Sequence, residues 1–156
     1  MSGPVLEIQR VKRAVIALSA LLFAAFAAIG AEPPAPEFLK ARVDVEVRNG
    51  IYSYTIHNDE PVQSVYTFHL DIKNTPITVV GSPPGWGSET NGKTFVAWLT
   101  GDEALTVPPG RSLGGFRIQS RAANSTSTPY SLVGWDRTLH DAGLVAFGTV
   151  LPCSPH

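Results

Sequence analysis

From Arg42 onward, apolar and polar residues alternate. Val43, Val45 and Val47 lie between Arg42, Asp44, Glu46 and Arg48, the period of a strand with one buried face. Asn49-Gly50 follows at once. Both central residues of a tight two-residue hairpin need positive φ, which Asn and Gly tolerate. The partner strand is expected over Ile51 to His57, with Tyr52, Tyr54 and Ile56 on one face. Asn58-Asp59-Glu60-Pro61 then reads as a turn. A third strand is expected from about Gln63 to Ile72, with Tyr66, Phe68, Leu70 and Ile72 inward and Thr67, His69 and Asp71 outward. Lys73-Asn74-Thr75-Pro76 breaks it.

The same grammar continues. Ile77 to Val80 is a short apolar strand, followed by the Ser82 to Lys93 loop, which holds Pro83-Pro84-Gly85-Trp86-Gly87 and a second turn signal, Asn91-Gly92. Thr94 to Thr100 is apolar on both faces, which predicts a central strand. Ala104 to Val107 reads as a short strand ending at Pro108-Pro109-Gly110, and Leu113 to Gln119 as the next. Ala122 to Pro129 is a Ser/Thr-rich loop; Tyr130 to Trp135 and Leu144 to Leu151 are the last strands. Short strands at near-regular spacing, with Gly, Pro or Asn between them, predict an all-β immunoglobulin-like sandwich of about 7–9 antiparallel strands. Its core is expected to hold Phe68, Leu70, Trp98, Phe116 and Ile118.

The first thirty residues break this pattern. Arg10, Lys12 and Arg13 precede Ala14 to Ile29, 16 residues without charge, and then Gly30, Ala31 and a Pro-rich stretch. A basic start, an apolar core and small residues are the layout of a helical secretory signal peptide. Spanning a bilayer takes about 20 residues, so cleavage is favoured over an uncleaved inner-membrane signal anchor. The expected organisation is a signal peptide over 1–31, a Pro-rich linker over 32–41, the sandwich over 42–151 and a tail over 152–156. The protein is thus expected to be secreted, periplasmic or at the cell surface, touching membrane only through the leader if that is retained.

Composition narrows the function classes. Lys and Arg number 12 against 13 Asp and Glu; removing Arg10, Lys12, Arg13 and Glu7 with the leader leaves a net charge of −3. A mildly acidic domain without a basic cluster does not suit nucleic acid, whose phosphates need concentrated Lys and Arg. The one cysteine, Cys153, excludes an intramolecular disulfide.

Several segments carry a resemblance. They are Tyr52-Ser53-Tyr54-Thr55-Ile56-His57-Asn58, Val65 to Leu70, Pro84-Gly85-Trp86, Val96-Ala97-Trp98 and Pro108 to Phe116. Together, over roughly Arg42 to Trp135, they resemble small exported bacterial β-sandwich proteins of unassigned function. The resemblance implies export and a sandwich and transfers no catalytic residue. Some such proteins end in a sorting segment built from a Pro-Glu-Pro motif, a hydrophobic helix and basic residues; Leu151 to His156 here has none of these.

Candidate chemistry is sparse. His57, His69 and Asp71 would supply two imidazoles and a carboxylate for Zn²⁺ or Cu²⁺ if His57 lay on the strand next to His69; a solvated polar face is the expected alternative, and no metal is assigned. His140-Asp141 has no G-x-S-x-G to join, and a triad is defined in space rather than sequence. Asp102-Glu103, adjacent in a turn, is expected to point apart and not across a glycosidase cleft. Gly85-Trp86-Gly87 lacks the context of a phosphate loop. Asn124-Ser125-Thr126 matches a glycosylation sequon, but nothing in the leader calls for a eukaryotic host. The candidate ligand contacts are Trp86, Tyr130 and Trp135, an aromatic platform for sugar if exposed; for Trp86 the favoured position is inward, closing the end of the core. No catalytic residue and no cofactor are expected. The expected function is an exported non-enzymatic module in surface structure or interaction, with a surface protein or glycan as partner. The alternatives are a carbohydrate-binding module using exposed aromatics and a small secreted hydrolase.

Overall fold

A computed structural model describes residues 37–121 and 127–151. The leader, the Asn124 sequon and Cys153 lie outside the described residues. Nine strands occur among those described: β1 (Ala41–Arg48), β2 (Ile51–Asn58), β3 (Ser64–Asp71), β4 (Ile77–Gly81), β5 (Gly87–Thr90), β6 (Phe95–Leu99), β7 (Ser112–Ser120), β8 (Thr128–Asp136) and β9 (Asp141–Val150). They form a four-stranded sheet, β1-β2-β7-β4, and a five-stranded sheet, β5-β6-β3-β8-β9, antiparallel at every pairing. The all-β two-sheet expectation holds.

The inner faces meet on aromatic side chains. Phe68, Leu70, Trp98, Phe116 and Ile118 are all buried, as the alternation predicts. Phe68 stacks on Trp98 at 5.3 Å, and Phe116 sets its edge against both at 5.4 and 5.5 Å. Burial raises the pKa of the Tyr54 phenol well above the usual tyrosine value, with Tyr52 adding to the shift. Leu39, within the expected linker, is also buried, and its N–H donates to Val145 O at 3.1 Å.

The β1–β2 hairpin turns on Asn49 (φ 53°) and Gly50 (φ 76°), the two positive angles the sequence demands. A Cβ at Gly50 would lie 3.1 Å from the Ser120 carbonyl oxygen. Asn91-Gly92 differs. Thr90 pairs with Val96, so the turn is a longer loop, held by Asn91 Oδ1 accepting from the N–H groups of Lys93 and Thr94. Gly92 has the same positive φ of 76°, so a side chain there is strained too, but the nearest atom to an added Cβ is 3.9 Å away. Gly50→Val is therefore expected to cost more than about 1 kcal/mol in urea unfolding, and Gly92→Val less. Equal, negligible losses would contradict the two-residue turn.

Four expectations need correction. Tyr66 lies outside the core, because Val65 and Thr67 face consecutive residues of β8, Gly134 and Val133, leaving Tyr66 as the extra residue of a bulge. Val65 takes the core position instead. The supposed strand over Ala104 to Val107 is a 3₁₀ turn, Glu103–Leu105, followed by a single bridge between Val107 and Val65. Asp102 Oδ1 accepts from Ala104 N at 2.9 Å and caps that turn, an option short acidic side chains give the backbone. The Ser82 to Lys93 loop contains β5, exposed throughout and so without an apolar pattern to betray it. The last two strands are longer than expected and meet at a turn where His140 takes φ 52°.

Candidate functional site

The sandwich offers two outer faces of different character. That of the four-stranded sheet is polar and charged. Arg42, Asp44, Glu46 and Arg48 project from β1, with Arg42 and Arg48 paired to Asp44 and Glu46.

The face of the five-stranded sheet follows from alternation and register. Val96 and Trp98 point into the core, so Phe95, Ala97 and Leu99 point out. Register aligns Leu99, Thr67, Val133 and Val145 in one row across β6, β3, β8 and β9. Ala97, His69, Ser131 and Phe147 make the next. Leu99 is 47% exposed and Phe147 71%. His69 lies parallel to the Phe95 ring at 5.8 Å. At one end Tyr66, released by the bulge, meets Trp135 edge-on at 5.7 Å. The result is a strip of five apolar and three polar side chains across the sheet, with the exposed Leu99 and Phe147 at its two ends and His69 and Asp71 its ionisable groups on β3.

The three aromatics expected as ligand contacts do not share a surface. Trp86 is 5% exposed; its indole N–H donates to Leu105 O at 2.9 Å and its ring meets Phe116 at 5.1 Å. Gly85, at φ 75°, lets the loop close: a Cβ there would fall 2.0 Å from Leu105 Cδ1. Trp86 thus seals the end of the core, the inward position favoured from sequence. Tyr130 is buried on the inner face of β8, over Gly148. Trp135 is half-buried, and its Nε1 is covered and without a hydrogen-bond partner, so it presents ring carbons only. The aromatic platform required for sugar stacking is absent at these residues.

The His57, His69 and Asp71 grouping is not assembled. His57 is on β2 and the other two on β3, in different sheets with the core between them. Among the described residues no three His, Cys, Asp or Glu side chains cluster as a metal site. Asp102 and Glu103 do point apart: Asp102 caps the 3₁₀ turn while Glu103 pairs with Arg137 at 2.5 Å.

The structure does assemble one set that sequence reasoning missed. His57 Nδ1 lies 2.7 Å from Ser112 Oγ, and His57 Nε2 lies 2.8 Å from Asp44 Oδ2. The three come from β2, β7 and β1. Alternation marks His57 and Asp44 as outward, but Ser112 has the parity of the buried Phe116 and Ile118 and faces outward only because of a bulge at Gly115; the register, with His57 opposite both Arg42 and Ser112, then brings the three together.

No protein-family model matches the chain, and no curated protein does. Among solved structures it is similar to an uncharacterised protein from Nocardia farcinica with an immunoglobulin-like fold, at 16% identity and TM-score 0.45, over 69% of this chain and 98% of that one. It is similar to a cohesin module from a Clostridium perfringens family 33 glycoside hydrolase, at 8% identity and TM-score 0.42, over 74% of this chain and 98% of that module. It is also similar to part of a GH20 exo-β-N-acetylglucosaminidase from Vibrio harveyi, at 9% identity and TM-score 0.44, over 77% of this chain and 19% of the enzyme.

Proposed function

We propose that the chain is an exported interaction module whose main work is contact rather than catalysis, made through the outer face of its five-stranded sheet. The observation that supports this is the exposure of Leu99 and Phe147 on a strip fixed by four paired strands. Large apolar side chains left exposed on one face, with the apolar Val133 and Val145 between them, mark a surface that is covered in use. The charged face of the four-stranded sheet lacks this character and serves as an internal control. The leader's basic, apolar and small-residue segments support export.

Export predicts a mature N-terminus at Ala31 or Glu32, read by intact mass; Met1 retained in a membrane fraction would favour the anchor instead. Contact predicts that the paired substitutions Leu99→Asp and Phe147→Asp lower binding to envelope proteins of the producing cell at least tenfold in quantitative affinity capture. Glu46→Lys on the opposite face should leave capture unchanged. Equal capture by all three proteins would overturn the assignment of the face.

A further inference from the structure

The outer face of the four-stranded sheet carries a hydrogen-bonded relay with a defined polarity. Asp44, a carboxylate, only accepts, so His57 Nε2 carries the proton of their 2.8 Å contact. In a neutral imidazole Nδ1 is then a lone pair, and Ser112 Oγ–H donates to it across 2.7 Å. Arg42 donates to both oxygens of Asp44, at 3.1 and 3.0 Å, and holds the carboxylate in place. The His57 side chain is only 23% exposed, while Ser112 is open to solvent. All three sit on paired strands rather than loops, which limits their drift. A hydroxyl on a base, with the base oriented by a third group, is the arrangement that activates a nucleophile. The two ring nitrogens exchange the roles they have in the usual triad, which leaves the proton path intact.

We propose that Ser112 is an activated nucleophile that accepts acyl groups from small activated esters. Ser112 Oγ attacks the carbonyl carbon as its proton passes to His57 Nδ1. The carbonyl carbon's bond to the leaving oxygen breaks, its electron pair departs with that oxygen, and Nδ1 returns the proton to it. Ser112 is left acylated. Water, deprotonated by the same Nδ1, attacks the acyl carbon; the bond to Oγ breaks, Oγ regains the proton, and a carboxylic acid is released. The substrate is small and already activated because Ser112 stands on an open sheet face, where a polymer would find no enclosing walls. The site is on the opposite sheet from the proposed contact face, so either assignment fails or stands without the other.

The competing role is a staple joining β1, β2 and β7, and reactivity separates the two. The full exported chain, incubated with p-nitrophenyl acetate and separately with a fluorophosphonate, should gain a single adduct that peptide mapping places at Ser112. General-base assistance of this kind is worth at least about a hundredfold, so His57→Gln should slow labelling about a hundredfold and Asp44→Asn by a smaller factor. Circular dichroism and urea unfolding confirm that each variant is folded. Should His57→Gln fail to fold, Ser112→Cys provides the second readout: its thiol should be alkylated by iodoacetamide faster than an exposed reference thiol. Adducts scattered over other serines, labelling at Ser112 unchanged in folded His57→Gln, or a thiol no faster than the reference would each overturn the proposal.

Discussion

Replacing Trp98 with alanine is expected to cost about 3–5 kcal/mol, the range for truncating a large buried aromatic. The side chain is fully buried and sits where the two sheets meet. Its ring stacks on Phe68, meets Tyr54 at 6.4 Å and takes the edge of Phe116. Its Nε1 donates to Ser82 Oγ at 3.1 Å, tying the loop after β4 to the core. Alanine removes all of these contacts at once. The surrounding rings belong to paired strands and cannot collapse into the space, so the cavity cost adds to the lost transfer energy. Such a loss is a large share of the 5–15 kcal/mol that stabilises a typical domain. Leu99→Ala, one residue along but on the outer face, should stay within about 0.5 kcal/mol of the parent. Urea unfolding of both variants checks the assignment of faces: a loss below about 1 kcal/mol at Trp98 would contradict it.

That alternation at Trp98 and Leu99 was legible because β6 is regular. The same holds for β1, β2 and the Asn49-Gly50 turn, where period and turn chemistry agree residue by residue. Legibility ended wherever the period was interrupted. The bulge at Tyr66 adds one residue to β3 and turns that side chain from core to surface, and nothing in Val65-Tyr66-Thr67 announces it. A bulge at Gly115 does the same for β7, aligning Leu113 with Phe116 across three positions instead of two. Strand β5 has no buried side chain and so no apolar pattern.

The candidate sites failed or emerged for a related reason. Trp86 was legible as an end-piece of the core because Pro83, Pro84 and Gly85 force the loop back on itself. Tyr130 reads as a contact in the sequence because its partner, Gly148, is invisible until β8 and β9 are paired, and the pairing buries it. The Ser112, His57 and Asp44 relay joins residues 55 and 13 positions apart, and a one-residue slip in either pairing would send the side chains to opposite faces. Register, which sequence alternation cannot supply, is the missing quantity for Tyr130 and for the relay.

The second large effect is expected at Asn58, whose place in the sequence reads as an ordinary turn residue. The structure buries it to 1% exposure at the end of β2. Its Nδ2 donates to Gln63 O at 2.9 Å and to Val107 O at 2.8 Å, and its Oδ1 accepts from Glu60 N at 3.0 Å. Its backbone pairs with Arg111 O and Gly110 N. The side chain thus fastens the turn after β2 and the Val65–Val107 bridge, while the backbone holds the entry to β7. Asn58→Leu keeps similar bulk but leaves three main-chain groups without that partner, at about 1–3 kcal/mol for each one left buried. A total loss of about 3–5 kcal/mol in urea unfolding is expected, and a loss near zero would mean that water replaces the amide at this site. Asn58→Asp separates hydrogen bonding from shape. It keeps the acceptor for Glu60 N but aims a carboxylate at the two carbonyl oxygens of Gln63 and Val107. Those neighbours favour the protonated acid, so the folded state holds the new carboxyl proton to higher pH than the unfolded chain. The native state then binds more protons above the unfolded aspartate value of about 4, and stability relative to the parent falls as pH rises through that window. Urea unfolding at pH 4 and pH 7 should show a larger deficit at pH 7. A deficit independent of pH would place the cost in packing rather than in the lost donors.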